Sequence, residues 1–265
     1  VKEQITIEER DYDQSILLTN QKLFGRDNSI VAEAAFQYQN LFVRVDITTR
    51  TNNVLNLYEV KAKSWNTEKD FWKTDRKGKT WLDKDWVQYL YDIAFQKYVV
   101  QKVFPDFVVY AHMIFADADT AATIEGLNQI FRISKEGGKS KIKVREGITR
   151  SSLGTIPLKV IPVDKECDWI YRNTVDVDLE SEYSFEESVK LFSDAYERDQ
   201  RIWSPIGIKC KACEFINKDS DSNLKSGFTE CWKHWANLSD GELIMPLALE
   251  LWGGFAGSKS IVTDV

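Results

Sequence analysis

Residues 44–64 read RVDITTRTNNVLNLYEVKAKS, and this stretch decides the fold. Two runs rich in Val, Ile, Thr and Leu flank Thr51-Asn52-Asn53, and Asn tolerates the positive φ that a tight hairpin turn requires. A two-residue turn at Asn52-Asn53 places Asp46 opposite Glu59. A third strand-like run, Ser29–Tyr38, is separated from Leu41–Arg50 by Gln39-Asn40, and a turn there places Glu33 opposite Asp46. Directly opposed residues share a sheet face, and Lys61, two residues past Glu59, lies on that face as well. Three acids therefore line up across three strands. Like charges so placed are destabilising, and a cation compensates them. Oxygen ligands select a hard ion, Mg²⁺ or Mn²⁺, with Asp46, Glu59 and Glu33 as candidate ligands. The alternative is a solvated row of acids on an exposed sheet face.

Outward from this meander, residues 11–24 read as a short amphipathic helix closed by Gly25. Residues 64–84 are aromatic and basic and read as a loop or short insertion. Residues 85–104 form a helix stopped by Pro105, and Phe107–Phe115 reads as a buried strand. On that helix Gln88, Asp92 and Gln96 recur every four residues, one polar stripe among Trp86, Leu90, Ile93 and Val99. The stripe faces either a polar cavity or solvent. Helix, three strands, helix, strand is an α/β order: a central mixed sheet flanked by helices. Residues 117–183 mix short apolar runs with a basic stretch, Lys135 to Arg150. Ser184 and Glu187 form a capping-box start for a helix to about Gln200.

The 265 residues are 43% hydrophobic, enough for one large domain or two small ones. No apolar run reaches the roughly 18 residues of a membrane span. The polar opening VKEQITIEERDYDQ is no secretory signal, and the missing initiator Met suggests a piece cut from a longer protein. The net charge of −6 excludes a globally basic nucleic-acid coat but not a local basic channel. Four cysteines, two of them as CxxC, suit a cytoplasmic metal or cluster site better than a disulfide framework.

Those cysteines are spaced Cys210-x2-Cys213-x17-Cys231, with Cys167 far upstream. A four-thiolate site holds Zn²⁺ or an iron–sulfur cluster. Cys167 reads as a buried strand residue, His112 as a core or edge histidine, and His234 as an alternative ligand. Lys63, Lys73, Arg76 and Lys77 are candidate phosphate contacts. Of the interleaved Trp65, Trp72 and Trp81, most read as core and any remainder as base-stacking platforms. No residue pattern reads out sequence, so DNA binding would be backbone-driven and salt-sensitive.

Asp46…Glu59-x-Lys61 followed by DIAFQKYVV with Gln96 resembles the PD-(D/E)XK nucleases of the RecB-like branch, and IGIKC-x2-C…C looks like the cysteine tail of their iron–sulfur members. It is similar to a bacterial family of this kind often followed by an exonuclease-like domain. The resemblance covers roughly residues 30–116 and 184–235. It implies a restriction-endonuclease-like core over 1–204 and a cysteine-bearing segment over 205–265. It also implies a metal held by Asp46 and Glu59, a lysine (Lys61) that orients or activates water, and a supporting Gln96. The partner implied is DNA, with single-stranded character. In that family a 4Fe–4S cluster is closed by one N-terminal and three C-terminal cysteines. Cys210, Cys213 and Cys231 match the three, and no cysteine precedes Cys167. Two departures stand out. No residue clearly matches the acid or His that the family carries on a helix before the strands, unless Glu33 substitutes or the residue lies in missing sequence. The Tyr expected four residues after Gln96 is Val100. The competing function is a catalytically inactive nucleic-acid-binding module with a structural metal or cluster; a redox protein built on the CxxC finds no thioredoxin-like pattern.

Overall fold

The computed structural model describes residues 4–136, 139–176, 182–207, 210, 212–217 and 224–244. In chain order the elements are β1 (Gln4–Thr6), α1 (Tyr12–Phe24), β2 (Asn28–Tyr38), β3 (Leu41–Thr51), β4 (Val54–Trp65), β5 (Trp72–Thr74), β6 (Thr80–Leu82), α2 (Val87–Val103), β7 (Val108–Asp117), α3 (Leu127–Ile130), β8 (Phe131–Glu136), β9 (Lys139–Val144), β10 (Leu158–Pro162), α4 (Asp164–Arg172), β11 (Thr174–Asp176), β12 (Glu182–Ser184), α5 (Phe185–Glu197), α6 (Gly227–Ala236) and α7 (Asp240–Ile244). The chain divides into two compact units, 1–170 and 171–265. The boundary falls before α5 rather than at residue 204, so the capping-box helix belongs to the second unit.

The first unit is built on a six-stranded mixed sheet of order β1-β2-β3-β4-β7-β10. β2, β3 and β4 form the expected antiparallel meander, and Gln39 and Asn52 take the positive φ of its two turns. α2 then crosses over so that β7 pairs parallel to β4, the connection a parallel pair requires. α1 starts on Asp11, whose side chain accepts from the Gln14 N–H, and ends at Gly25. It is tied to the sheet where Thr19 Oγ1 accepts from the Ala35 N–H at 2.9 Å.

The core lies between α2 and the sheet. Leu90, Ile93, Val99 and Val100 of α2 are fully buried, as are Val31, Val45, Leu55, Leu57, Met113 and Phe115 of the strands. Residues 66–86 are more ordered than an insertion: β5 and β6 make a small hairpin whose base enters the core. Phe71 and Trp86 pack around Trp65, with ring centroids 4.5 and 5.2 Å away, and Trp65 stacks on Phe115 at 5.3 Å. Trp72 Nε1 donates to Glu166 Oε1 at 2.6 Å, fixing the hairpin to α4. Trp65 is thus core, Trp72 is pinned, and Trp81 alone of the three is largely exposed.

Cys167 is buried as expected, but in α4 rather than a strand. Glu166, Cys167 and Ile170 fall on one helical face, and that spacing turns the segment inward. The basic segment Lys135 to Arg150 is part of a two-stranded hairpin, β8–β9, followed by a loop and a 3₁₀ turn at Arg150–Leu153.

The second unit holds the β11–β12 pair, α5, α6 and α7. α5 carries the full capping box, Ser184 and Glu187 satisfying each other's backbone N–H. Its other centre is Ile206 and Trp232, against which Cys210, Phe228, Cys231, Trp235 and Leu243 pack.

Candidate functional site

The site lies where the meander comes apart. Cross-strand pairing between β3 and β4 runs from Thr51↔Val54 to Ile47↔Tyr58 and stops one step short of Asp46 and Glu59. Pairing between β2 and β3 is continuous except at Glu33 and Asp46, although Ala32↔Ile47 and Ala34↔Val45 hold the expected register on either side. Asp46 therefore has no partner in either ladder. Its Oδ2 instead accepts the Val60 N–H at 2.7 Å, replacing a backbone carbonyl. Beyond this point β4 follows β7 alone, with a register break between Val60 and Ser64 that contains Lys61 and Lys63. Such irregularities re-aim side chains.

Glu59 continues the core-facing alternation of Leu55 and Leu57 and is 6% exposed. Its carboxylate is held from two sides: Oε1 accepts from Lys61 Nζ at 2.5 Å and Oε2 from Gln96 Nε2 at 2.8 Å. Lys61 Nζ also donates to Asp92 Oδ2 at 2.8 Å, and Gln96 Nε2 approaches Asp92 Oδ1 at 3.3 Å. Glu59, Lys61, Asp92 and Gln96 thus close a ring between β4 and α2. The α2 stripe divides accordingly. Asp92 and Gln96, one turn apart, face the ring, whereas Gln88 is exposed.

Burial pushes the Glu59 carboxyl above the ordinary glutamate range, outweighing the hydrogen bonds from Lys61 and Gln96, and the nearby charges of Asp92 and Asp46 add to the rise. Burial acts to lower Lys61, but its bonds to Asp92 and Glu59 prevail and hold its pKa above that of a free lysine. Lys61 is therefore a fixed cation at neutral pH. Gln96 is 6% exposed, and its Oε1 is buried with no hydrogen-bond partner.

Hydrogen bonds join Glu59, Lys61 and Gln96, whereas the expected pairings of Asp46 with Glu59 and with Glu33 are not formed and Asp46 is held by the Val60 N–H between Glu59 and Lys61. Glu33 takes no part in the ring among the described contacts. It adopts φ +57°, a left-handed conformation that few residues other than Gly enter without strain, and it is the point where the β2 ladder is interrupted. Asp92 is the member that sequence reasoning named only as part of a stripe; its spacing of four from Gln96 was the available signal.

Asp46 is close enough to Glu59 for its charge to raise the Glu59 carboxyl, and the Gln96 amide oxygen is buried without a partner. In the present arrangement Lys61 occupies Glu59 Oε1, and no group of three or more His, Cys, Asp or Glu side chains is gathered to hold a metal among the described residues.

Of the expected phosphate contacts, Lys63 Nζ stands 4.6 Å from the Tyr89 ring and 5.2 Å from that of Trp86. Lys73 pairs with Asp83 at 3.2 Å. Arg76 and Lys77 are exposed in the β5–β6 turn, which Asp75 organises by accepting from the Lys77 and Lys79 N–H groups.

In the second unit the three expected cysteines are neighbours. Burial raises the Cys231 thiol, and Cys210 and Cys213 raise it further. The Gly207 N–H donates to Cys210 Sγ at 3.4 Å, and the buried Trp232 Nε1 has no acceptor. Cys210, Cys213 and Cys231 lie near one another but are not gathered into a metal-holding group among the described residues. The His234 ring lies flat on Trp203, 3.9 Å between centroids. Cys167 belongs to the first unit, where burial pushes its thiol up to about 12. His112, read as a core or edge histidine, lies half-buried on β7, an inner strand, and stacks on Tyr58 at 4.8 Å.

No family model, no curated protein and no solved structure matches the chain. No helix among the described residues is long and apolar enough to cross a membrane.

Proposed function

We propose that this protein is a metal-dependent nuclease that hydrolyses phosphodiester bonds in DNA, with a RecB-like PD-(D/E)XK site. The observation that carries the reading is the ring at the fork of β3 and β4. A buried acid on a core strand, an adjacent acid freed from both ladders, a lysine two residues on, and a glutamine from the crossover helix converge there. A sheet does not bury such a group for stability alone, because breaking even with hydrophobic packing is the best a buried ion pair usually does.

Asp46 and Glu59 are the residues that would hold Mg²⁺ or Mn²⁺. Such an ion supplies a bound water of lowered pKa and neutralises charge on the phosphate. Lys61 keeps its proton at neutral pH and so stabilises negative charge rather than abstracting a proton. Gln96 fixes Glu59 Oε2, leaving Oε1 as the oxygen that exchanges partners. The exposed Arg76 and Lys77, with Lys63 beside the Tyr89 ring, offer phosphate contacts. Access to a site sunk between strands favours DNA with single-stranded character. In the second unit, Cys210, Cys213 and Cys231 would hold a structural zinc or iron–sulfur centre.

The test is cleavage of single-stranded and duplex DNA with Mn²⁺. Wild type should cut, and Asp46→Ala and Lys61→Ala should not, with unchanged far-UV circular dichroism. Equal cleavage by all three would refute the site. The second reading, a catalytically inactive nucleic-acid-binding module, is favoured by the lack of a gathered three-ligand set among the described residues. It predicts salt-sensitive DNA binding without cleavage.

A further inference from the structure

Four residues of β4, taken two apart, meet α2 in turn. Glu59 bonds Gln96, Lys61 bonds Asp92, Lys63 lies against Tyr89 and Trp86, and Trp65 packs on Trp86. The row turns from acid to base as it approaches the first turn of α2. There Lys61 Nζ and Lys63 Nζ stand 5.2 and 4.6 Å from the Tyr89 ring, and Lys63 Nζ and Lys69 Nζ stand 5.2 and 5.7 Å from that of Trp86. Three ammonium groups thus share two neighbouring rings.

Only Lys61 is neutralised, by Glu59 and Asp92. Lys63 and Lys69 form no ion pair among the described residues. The acids of the same segments are otherwise engaged or turned to water. Asp83 is taken by Lys73, Asp70 accepts the Trp72 N–H, and Glu68 and Asp85 are exposed and form no ion pair. An ordinary surface lysine trails into water, because fixing it costs side-chain entropy. These two are held. Lys69 Nζ donates to the Ser64 carbonyl at 2.5 Å and Lys63 Nζ to the Asp85 carbonyl at 3.5 Å, and the rings add cation–π attraction. None of these contacts neutralises charge, and each ammonium keeps donors to spare. The first turn of α2 contains no acidic residue, and Trp86 gives it no side-chain cap, so the positive end of the helix adds to the imbalance. Two ordered, unneutralised cations match a phosphate dianion. A phosphodiester carries a single negative charge, whereas a terminal phosphomonoester carries close to two at neutral pH.

We propose that Lys63 and Lys69, seated on Tyr89 and Trp86 at the start of α2, form a binding site for the terminal phosphate of a DNA strand, which places the strand's end beside the ring of Glu59, Lys61 and Gln96. This rests on the reading that the partner is DNA, and neither on cleavage nor on a metal.

The experiment measures binding of the whole chain, without added metal, to short single-stranded oligonucleotides by fluorescence anisotropy at low salt. One sequence, labelled internally, carries a 5′-phosphate, a 3′-phosphate or hydroxyls at both ends. One of the phosphorylated strands should bind roughly tenfold tighter than the hydroxyl-ended one, the return of two exposed ion pairs, and which one it is fixes the polarity of the bound strand. K63M and K69M should each remove most of that preference, and K63R and K69R should keep it. K22M, on α1, should leave the ratio unchanged. In the wild type the preference should shrink between about pH 7.5 and about pH 5.5, because the terminal phosphate takes up a proton near pH 6 while the lysines stay charged. That measurement needs no variant and decides the matter if K63M or K69M does not fold. Equal affinity for all three strands overturns the site and leaves the DNA reading standing. A preference that survives both K63M and K69M overturns the assignment of the two lysines, and one that survives the lower pH overturns the dianion argument. If no strand binds, the DNA reading fails and takes this inference with it.

Discussion

Replacing Gln96 by Leu tests the ring without assuming any catalysis. Gln96 is 6% exposed and gives Glu59, equally buried, a hydrogen bond of 2.8 Å. A hydrogen bond to a buried charge contributes about 1.5–3 kcal/mol. Its contact with Asp92 is longer, 3.3 Å, and the Asp92 side chain is 44% exposed, so water replaces that one at almost no cost. Leu returns about 1 kcal/mol through extra apolar burial. The net loss is therefore about 0.5–2 kcal/mol near neutral pH. The sign of its pH dependence follows from Glu59, whose pKa burial already raises. A carboxyl with a raised folded pKa makes folding less favourable as pH climbs from the ordinary glutamate value, about 4.3, through the folded value. Gln96 limits that rise, so Gln96→Leu enlarges it. The variant should be about 0.5–2 kcal/mol less stable at pH 7.5 and closer to wild type at pH 4.5, where more of Glu59 carries its proton. Urea unfolding followed by tryptophan fluorescence and far-UV circular dichroism at the two pH values measures this. A deficit of the same size at both, or none at pH 7.5, refutes the claim that Gln96 serves the charged form of Glu59.

Other expectations follow from the same contacts. Mn²⁺ binding should weaken as pH falls, beginning above the ordinary carboxylate range because a proton competes at Glu59; calorimetry at stepped pH checks it, and an onset only below pH 4 contradicts the raised carboxyl. Lys97, 5% exposed and bonded to Asp164 at 2.7 Å, should cost about 1–3 kcal/mol when replaced by Ala, since the partly exposed carboxylate loses its cation but keeps the Ala111 N–H; urea unfolding reads it. Trp65→Ala should cost about 3–5 kcal/mol by emptying the cluster with Phe71, Trp86 and Phe115, and a loss under 1 kcal/mol would show that the β5–β6 hairpin is not anchored there. Iodoacetamide at pH 8 should leave Cys167 unmodified in the native protein, its thiol lying near 12, and should alkylate Cys231 more slowly than the same residue in the unfolded chain; peptide mass spectrometry distinguishes them.

The local features were legible in the sequence because they depend on neighbours along the chain. Two-residue turns fix hairpin register, and side chains alternate with period two. Gln39-Asn40 and Asn52-Asn53 were therefore enough to fix the register of β2, β3 and β4 up to the residues flanking Asp46 and Glu59. Asp11 and Gly25 bounded α1, and Ser184 with Glu187 opened α5, for the same reason: caps are local hydrogen bonds. What the sequence alone could not decide depended on the third dimension. Alternation placed Glu33 with Asp46, yet the backbone at Glu33 enters the left-handed region, and the ladder opens there. The register break that aims Lys61 arises between β4 and β7, strands joined through a whole helix. The stripe of Gln88, Asp92 and Gln96 has one period but two environments. Only the docking of α2 on the sheet turns Gln96 toward Glu59 and Asp92 toward Lys61 and leaves Gln88 without a place in the ring, because the rotation of a helix about its axis is set by all its packing partners at once.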